Sequence, residues 1–219
     1  MPGLFLTFEG GEGSGKSTQI ERLAARLRRR GLDPVVTREP GGTPVGEGAR
    51  MLLLDQAHRP EPQTEVFLLE ASRSELVARV IRPALAAGRV VVCDRYDDST
   101  LAYQGGGRGL DHAVLLALNR FATGGLKPDL TFLFDLEPAV GLSRRAGAGD
   151  ANRLDREPED FHRRVHERYL ELARQEPARF VVLDAGAPPE ALEARIAEAV
   201  ESRLGGTPAS EPRPASPVL

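Results

Sequence analysis

The chain has 219 residues, 41% of them hydrophobic and 28% charged, with a formal net charge of −3 and one cysteine, Cys93. That length supports one well-buried core, and the composition is that of a globular protein. No apolar run approaches the roughly 18 residues of a membrane span, a lone cysteine excludes an internal disulfide, and the acidic balance speaks against a general nucleic-acid binder. The N-terminus shows no charged leader or small-residue cleavage site, so a reducing cytoplasm is the expected location.

Five short apolar runs, Leu4–Phe8, Pro34–Thr37, Val90–Cys93, Leu130–Asp135 and Arg179–Leu183, read as buried parallel strands, too short for helices and rich in Val, Leu and Phe. Helical periodicity fills the intervals at Lys16–Arg30, Val45–Leu54, Pro62–Ala86, Asp111–Phe121, Pro138–Arg144, Pro158–Gln175 and Pro189–Leu204. The alternation predicts a doubly wound α/β sheet, with residues 1–204 forming one domain. Ser143–Glu157, rich in Gly, Ala and Arg, reads as a mobile loop, and the Pro/Ser/Gly-rich residues 205–219 read as a disordered tail.

Between the first strand and the first helix stands Gly10-Gly11-Glu12-Gly13-Ser14-Gly15-Lys16-Ser17-Thr18. This matches the phosphate-binding pattern G-x-x-x-x-G-K-[ST] in the required strand–helix setting. Its glycines let backbone N–H groups turn toward phosphate oxygens, Lys16 suits the β- and γ-phosphates, and the Ser17 hydroxyl suits Mg²⁺. A guanine-reading Asn-Lys-x-Asp is absent, which disfavours a GTPase switch.

Whether a phosphoryl group is passed on depends on a second anion site. Arg38 and Glu39 close the second strand, where open parallel sheets bind ligands. Thr43 and Pro44 cap and open the next helix. Asp94 closes the third strand, placed as a carboxylate of the Mg²⁺ water shell, and Arg95 follows as a phosphate ligand; a plain Asp–Arg ion pair is the alternative. Arg73 interrupts the apolar stripe Val66, Leu69, Leu76, Val80. A buried guanidinium there needs an internal carboxylate, a route to the surface, or a ligand. Ser99, Tyr103 and Gln104, before a glycine run expected to be flexible, are candidates for reading a base and shaping a sugar pocket. Arg144, Arg145, Arg153 and Arg156 are candidates to close over the transferring group. His162 and His166 stand at i, i+4 without a third metal ligand and read as flank residues of their helix.

Together "FEGGEGSGKSTQ", "TREPGGTPVGEGAR", "DRYDDSTLAYQGGGRG", "PDLTFLFDLEP" and "RVHERYLELA" resemble thymidylate kinase in its bacterial form, from Leu4 to about Leu204. The resemblance implies a P-loop kinase fold with a lid, Mg²⁺- and ATP-dependent phosphorylation of dTMP, and a homodimer. It implies that residues 10–18 serve ATP and that Glu12 holds the acceptor's 3′-hydroxyl region. It further implies that Arg38 and Arg95 bind the acceptor phosphate, and that Arg73, Ser99 and Gln104 read thymine. Tyr103 would disfavour a ribose 2′-hydroxyl, and Arg153 would be the catalytic lid arginine. Leu69 stands where the family often stacks thymine on phenylalanine, and Gly13 where one branch has an arginine. A monophosphate kinase of another base preference, and a non-catalytic nucleotide-binding module, remain the competing readings.

Overall fold

In a computed structural model, residues 3–146 and 152–205 are described. The middle of the expected lid and nearly all of the expected tail lie outside them. Five parallel strands, β1 (Leu4–Gly10), β2 (Val35–Arg38), β3 (Val90–Asp94), β4 (Leu130–Asp135) and β5 (Phe180–Asp184), stand in the order β2-β3-β1-β4-β5. Around them lie α1 (Lys16–Arg29), α2 (Pro44–Leu54), α3 (Pro62–Leu76), α4 (Arg82–Ala86), α5 (Asp97–Thr100), α6 (His112–Thr123), α7 (Pro138–Ala146), α8 (Glu159–Gln175) and α9 (Pro189–Gly205).

Alternation along β1 divides the core. Leu4, Leu6 and Phe8 join Ile20, Leu23 and Leu27 of α1 and Ile196 and Val200 of α9 on one face. Phe5 meets Leu76, Ile81 and Tyr96 on the other. Each such large side chain taken fully out of water contributes roughly 1.5–3 kcal/mol. The register places Asp94 beside both Phe8 and Arg38. The carboxyl ends of three adjacent strands therefore open onto one crevice, as in other open parallel sheets.

Two segments differ from the sequence reading. The expected helix 62–86 widens into a π turn at Val77–Ile81, where the Arg82 N–H reaches the Val77 carbonyl five residues back. Pro83 follows directly, and a proline lacks the N–H that an ordinary helix requires. The glycine run is not a flexible loop: Leu101–Gly107 forms a second π turn continuing α5. Its glycines serve close packing, because a Cβ on Gly107 would collide with the Phe161 ring and one on Gly106 with the Arg164 carbonyl.

Candidate functional site

The phosphate loop joins β1 to α1. Gly13, at φ +64°, passes so close to the Gly141 carbonyl that no side chain fits. Lys16 folds over the loop, its Nζ donating to the Gly10 carbonyl (3.1 Å), the Gly11 carbonyl (2.7 Å) and Ser14 Oγ (3.2 Å). Burial pushes its amine down to about 8, and the Arg95 charge adds to the shift. Ser17 and Thr18 are exposed to the same cavity on the first turn of α1, which has no acidic residue to offset the positive end of the helix.

That cavity, about 460 Å³, is lined on its other side by Arg38, Arg50, Asp94 and Arg95. Arg38 is half exposed and grips both Glu47 oxygens through Nη2 at 3.0 Å. Arg50 of α2 donates to the Pro40 carbonyl at 3.0 Å. Burial, followed by the neighbouring Arg38, lowers its pKa. Asp94 Oδ1 is buried without a hydrogen-bond partner among the described residues.

Arg95 has φ +68°, a conformation rare outside glycine, and its N–H is held by the Phe8 carbonyl at 3.0 Å. Its Nη2 donates to Glu12 Oε1 (2.8 Å) and Tyr103 Oη (3.0 Å), and its Nη1 to Tyr169 Oη (3.3 Å) and Ser99 Oγ (3.4 Å). The Asp94–Arg95 ion pair weighed from the sequence is not what holds this arginine. Burial alone would raise the Glu12 carboxyl, but Arg95, Lys16 and the Tyr103 hydroxyl together bring it to about 2. Glu9, fully buried behind this network, accepts from the Tyr96 N–H (2.7 Å), Ser99 Oγ (2.6 Å) and Tyr169 Oη (2.8 Å). Burial lifts its carboxyl to about 7, with nearby Asp98 adding.

Several sequence expectations need correction in this geometry. Ser99 lines the cavity, but its hydroxyl is already tied to Glu9, Tyr169 and Arg95, so it also serves to brace that network. Arg73 borders the cavity, yet its side chain is 1% exposed and every N–H group is engaged internally. Nε and Nη2 pair with Glu39 at 2.9 and 2.8 Å, Nη2 also reaches the Tyr96 carbonyl, and Nη1 reaches Glu70, Thr100 and Asn119. Of the alternatives open for this arginine, the internal carboxylate is realised. Burial opposes its charge, but Glu39 and Glu70 outweigh that and raise its pKa.

Arg153 does not line the cavity. It is clamped outside it, Nη2 on Glu65 Oε1 at 2.7 Å and Nε on the Leu53 carbonyl at 3.0 Å. From the expected lid, Arg144, Arg145, Asn152 and Leu154 border the cavity instead. His162 is 5% exposed, not a flank residue, and its Nε2 lacks a partner among the described residues. His166 pairs with Asp135 at 2.6 Å. Gln104, Tyr103 and Leu69 do reach the cavity, with Leu54 and Pro40 beside them.

A sequence model of the thymidylate kinase family matches residues 8–196. The chain belongs to the thymidylate kinase family. It is 54% identical to a thymidylate kinase of Deinococcus radiodurans over 92% of this chain and 98% of that one. With a thymidylate kinase of Thermomicrobium roseum it shares 56% identity over 85% and 89% of the two chains. The crystal structure of thymidylate kinase from Ehrlichia chaffeensis superposes with a TM-score of 0.74 at 30% identity, covering 91% of this chain and 99% of that one.

Four residues in and around this site escaped the sequence reading. Arg50 was within reach, since it lies one turn beyond Gly46 and Glu47 on the helix that Thr43 caps. Glu9 offered a weaker signal, a carboxylate one residue inside the end of an apolar strand. Tyr169 and Glu65 gave none locally: Tyr169 meets Glu9 across 160 residues, and Glu65 meets Arg153 across 88.

Proposed function

We propose that this chain transfers the γ-phosphoryl group of ATP to the phosphate of dTMP, giving dTDP and ADP in the cytoplasm. One observation carries the reading: a complete phosphate loop and three arginines from β2, α2 and the end of β3 border a single cavity. A switch or nucleotide-binding module requires only the first set. Membership of the thymidylate kinase family supplies the acceptor.

In this reading Lys16 leaves its loop carbonyls for the β- and γ-phosphates. Arg38 and Arg50 take the acceptor phosphate, with Arg95 holding its inner side. Leu69, Leu54 and Pro40 wall the base, and the Gln104 Oε1, buried without a partner among the described residues, accepts a base N–H. Glu12 takes the sugar hydroxyl, and Tyr103, bonded to Glu12 at 2.8 Å, closes the space of a 2′-hydroxyl. Arg73 supports this wall from behind. Arg144 and Arg145, rather than Arg153, provide the lid charge over the transferring group. Phosphoryl transfer of this kind needs positioning and charge more than covalent help, and an acceptor phosphate already ionised needs no general base.

The residues fit Mg²⁺ as well. Asp94 Oδ1 is a buried oxygen lacking a partner among the described residues, and the Ser17 hydroxyl faces the same cavity. No cluster of three or more His, Cys, Asp or Glu able to hold a metal occurs among the described residues. Mg²⁺ suits such a sparse site, because it keeps waters and phosphate oxygens and takes few protein ligands. When bound it would neutralise charge on the β- and γ-oxygens, with Ser17 and Asp94 holding it directly or through water.

A homodimer is part of the proposal. Phe67, Ala71 and Ser74 form an exposed stripe on α3, and Val114, Ala117 and Phe121 one on α6, the two helices being packed together. Phe121 is 86% exposed and Phe67 63%, and a second copy of this chain is the occupant proposed for that face. The deciding assay is ADP release with ATP, Mg²⁺ and each nucleoside monophosphate in turn. Strong turnover with dTMP, some with dUMP and little with AMP, CMP or GMP is expected. A different preferred acceptor, or no acceptor-dependent turnover, would overturn the reading.

A further inference from the structure

Glu65 takes no part in the chemistry above and does not line the cavity, yet four hydrogen bonds converge on its carboxylate. Oε2 accepts from Gln104 Nε2 at 3.0 Å and Arg108 Nε at 3.3 Å. Oε1 accepts from Arg108 Nη2 at 2.9 Å and Arg153 Nη2 at 2.7 Å. The side chain is 1% exposed, so these bonds have no solvent competitor. Arg108 is itself braced by Glu157 at 2.6 Å and lies over the Phe161 ring at 4.7 Å. Arg153 is braced by the Leu53 and Leu54 carbonyls at the end of α2.

A carboxylate between two guanidinium groups accepts hydrogen bonds and donates none. The Gln104 amide therefore has one stable orientation. Its NH₂ faces Glu65, and Oε1 is the arm left over, buried and unpartnered among the described residues. The flipped amide would set two acceptors about 3 Å apart in a buried site, with the Gln104 oxygen facing a carboxylate that has no hydrogen to give. We infer that Glu65 is a positioning residue for base selection, holding Gln104 as an acceptor only. Such a group complements the imide N–H of thymine or uracil and is mismatched to cytosine, whose equivalent ring nitrogen is itself an acceptor. Because Arg153 shares the carboxylate, the C-terminal part of the lid reinforces this orientation through its contact with the end of α2. The inference rests on the proposed dTMP acceptor and on Gln104 facing the base.

The test compares kcat/KM for dTMP and dCMP at saturating ATP in wild type, E65Q and the swap variant E65Q/Q104E. Wild type comes first: without a preference for dTMP the acceptor reading itself fails. Given that preference, glutamine at 65 can donate as well as accept, and Gln104 is free to turn. The dTMP:dCMP ratio should fall by about ten-fold or more, the order expected when a hydrogen-bond pattern ceases to be enforced. The swap places a carboxylate at 104, which again offers the base an acceptor only, and keeps one negative charge near Arg108 and Arg153. It should restore the ratio to within about three-fold of wild type. Equal loss with both acceptors in E65Q, or a folded swap variant that no longer discriminates, would overturn the inference. Should E65Q fail to fold, the swap alone decides.

Discussion

Replacing Glu9 with glutamine should change how stability responds to pH, and the structure gives both sign and size. Glu9 is fully buried, and its carboxyl is raised from 4.5 to about 7, first by burial and then by Asp98. Between those values the folded state keeps a proton that the unfolded chain has lost. Stability is therefore drained as pH rises through that window, and the full penalty is in place above about pH 7. At 1.36 kcal/mol per unit, the shift corresponds to about 3 kcal/mol. A glutamine side chain in this position cannot ionise. Its carbonyl can still accept the Tyr96 N–H, and its amide can donate to Ser99 or Tyr169, whose hydroxyls rotate to suit. Urea unfolding of both proteins at about pH 5, 6, 7 and 8 measures the difference, in which the titrations of all other groups largely cancel. E9Q should gain about 2.5 kcal/mol relative to wild type from the acid to the alkaline end of the series, because a little of the penalty is already present at about pH 5. Parallel curves across the series would show that Glu9 is ionised throughout and that the hydroxyls and Arg95 offset its burial.

Arg95→Ala should lower kcat/KM for dTMP by about 100-fold or more while changing ATP affinity, measured by calorimetry, by less than about three-fold. It should also lower stability, because partly buried Glu12 then keeps only Tyr103 and the nearby Lys16 charge. Leu69→Phe should tighten dTMP binding by about 0.5–1.5 kcal/mol, the size of an added aromatic contact, and unchanged affinity would mean that Leu69 does not face the base. Phe121→Glu should convert a dimer to a monomer in analytical ultracentrifugation, because a desolvated carboxylate is costly at an apolar interface; a variant that sediments like wild type would remove that face from the interface.

The three central strands were legible because their apolar runs are covered on both faces. The edge strands β2 and β5 leave Val36 and Val182 exposed and were legible from their short Val- and Phe-rich runs alone. Each observed strand begins or ends within two residues of its run. The phosphate loop and the Arg-Glu and Asp-Arg strand ends were legible because their chemistry is local in sequence. The helix at 97–107 was not, since three glycines carry no periodic side chains and it is held by α8, more than fifty residues away. For Arg73 the apolar stripe revealed a buried charge but not its acceptors, which come from the turn after β2 and from α3, α5 and α6. The Glu65 partner of Arg153 was hidden for the same reason: an arginine in a lid motif looks alike whether it faces a phosphate or Glu65.

The arginines around the cavity differ in how readily they can give up a protein partner. Arg38 and Glu47 are both close to half exposed, and such a pair contributes only about 0–1 kcal/mol, so a doubly charged phosphate can displace the carboxylate at little cost. Arg95 and Glu12 are 16% and 17% exposed, and separating them would strand two charges in a poorly solvated place. In the proposed reading Arg95 stays seated on Glu12, Tyr103, Ser99 and Tyr169 and meets the acceptor phosphate as a fixed wall, while Arg38 is the arginine that can exchange Glu47 for it. The partly buried pair also joins the phosphate loop to the turn after β3, because Glu12 belongs to one and Arg95 to the other. Donor and acceptor sites are thus held in register by a contact that substrate binding does not need to break, which is the condition for an in-line transfer that relies on positioning.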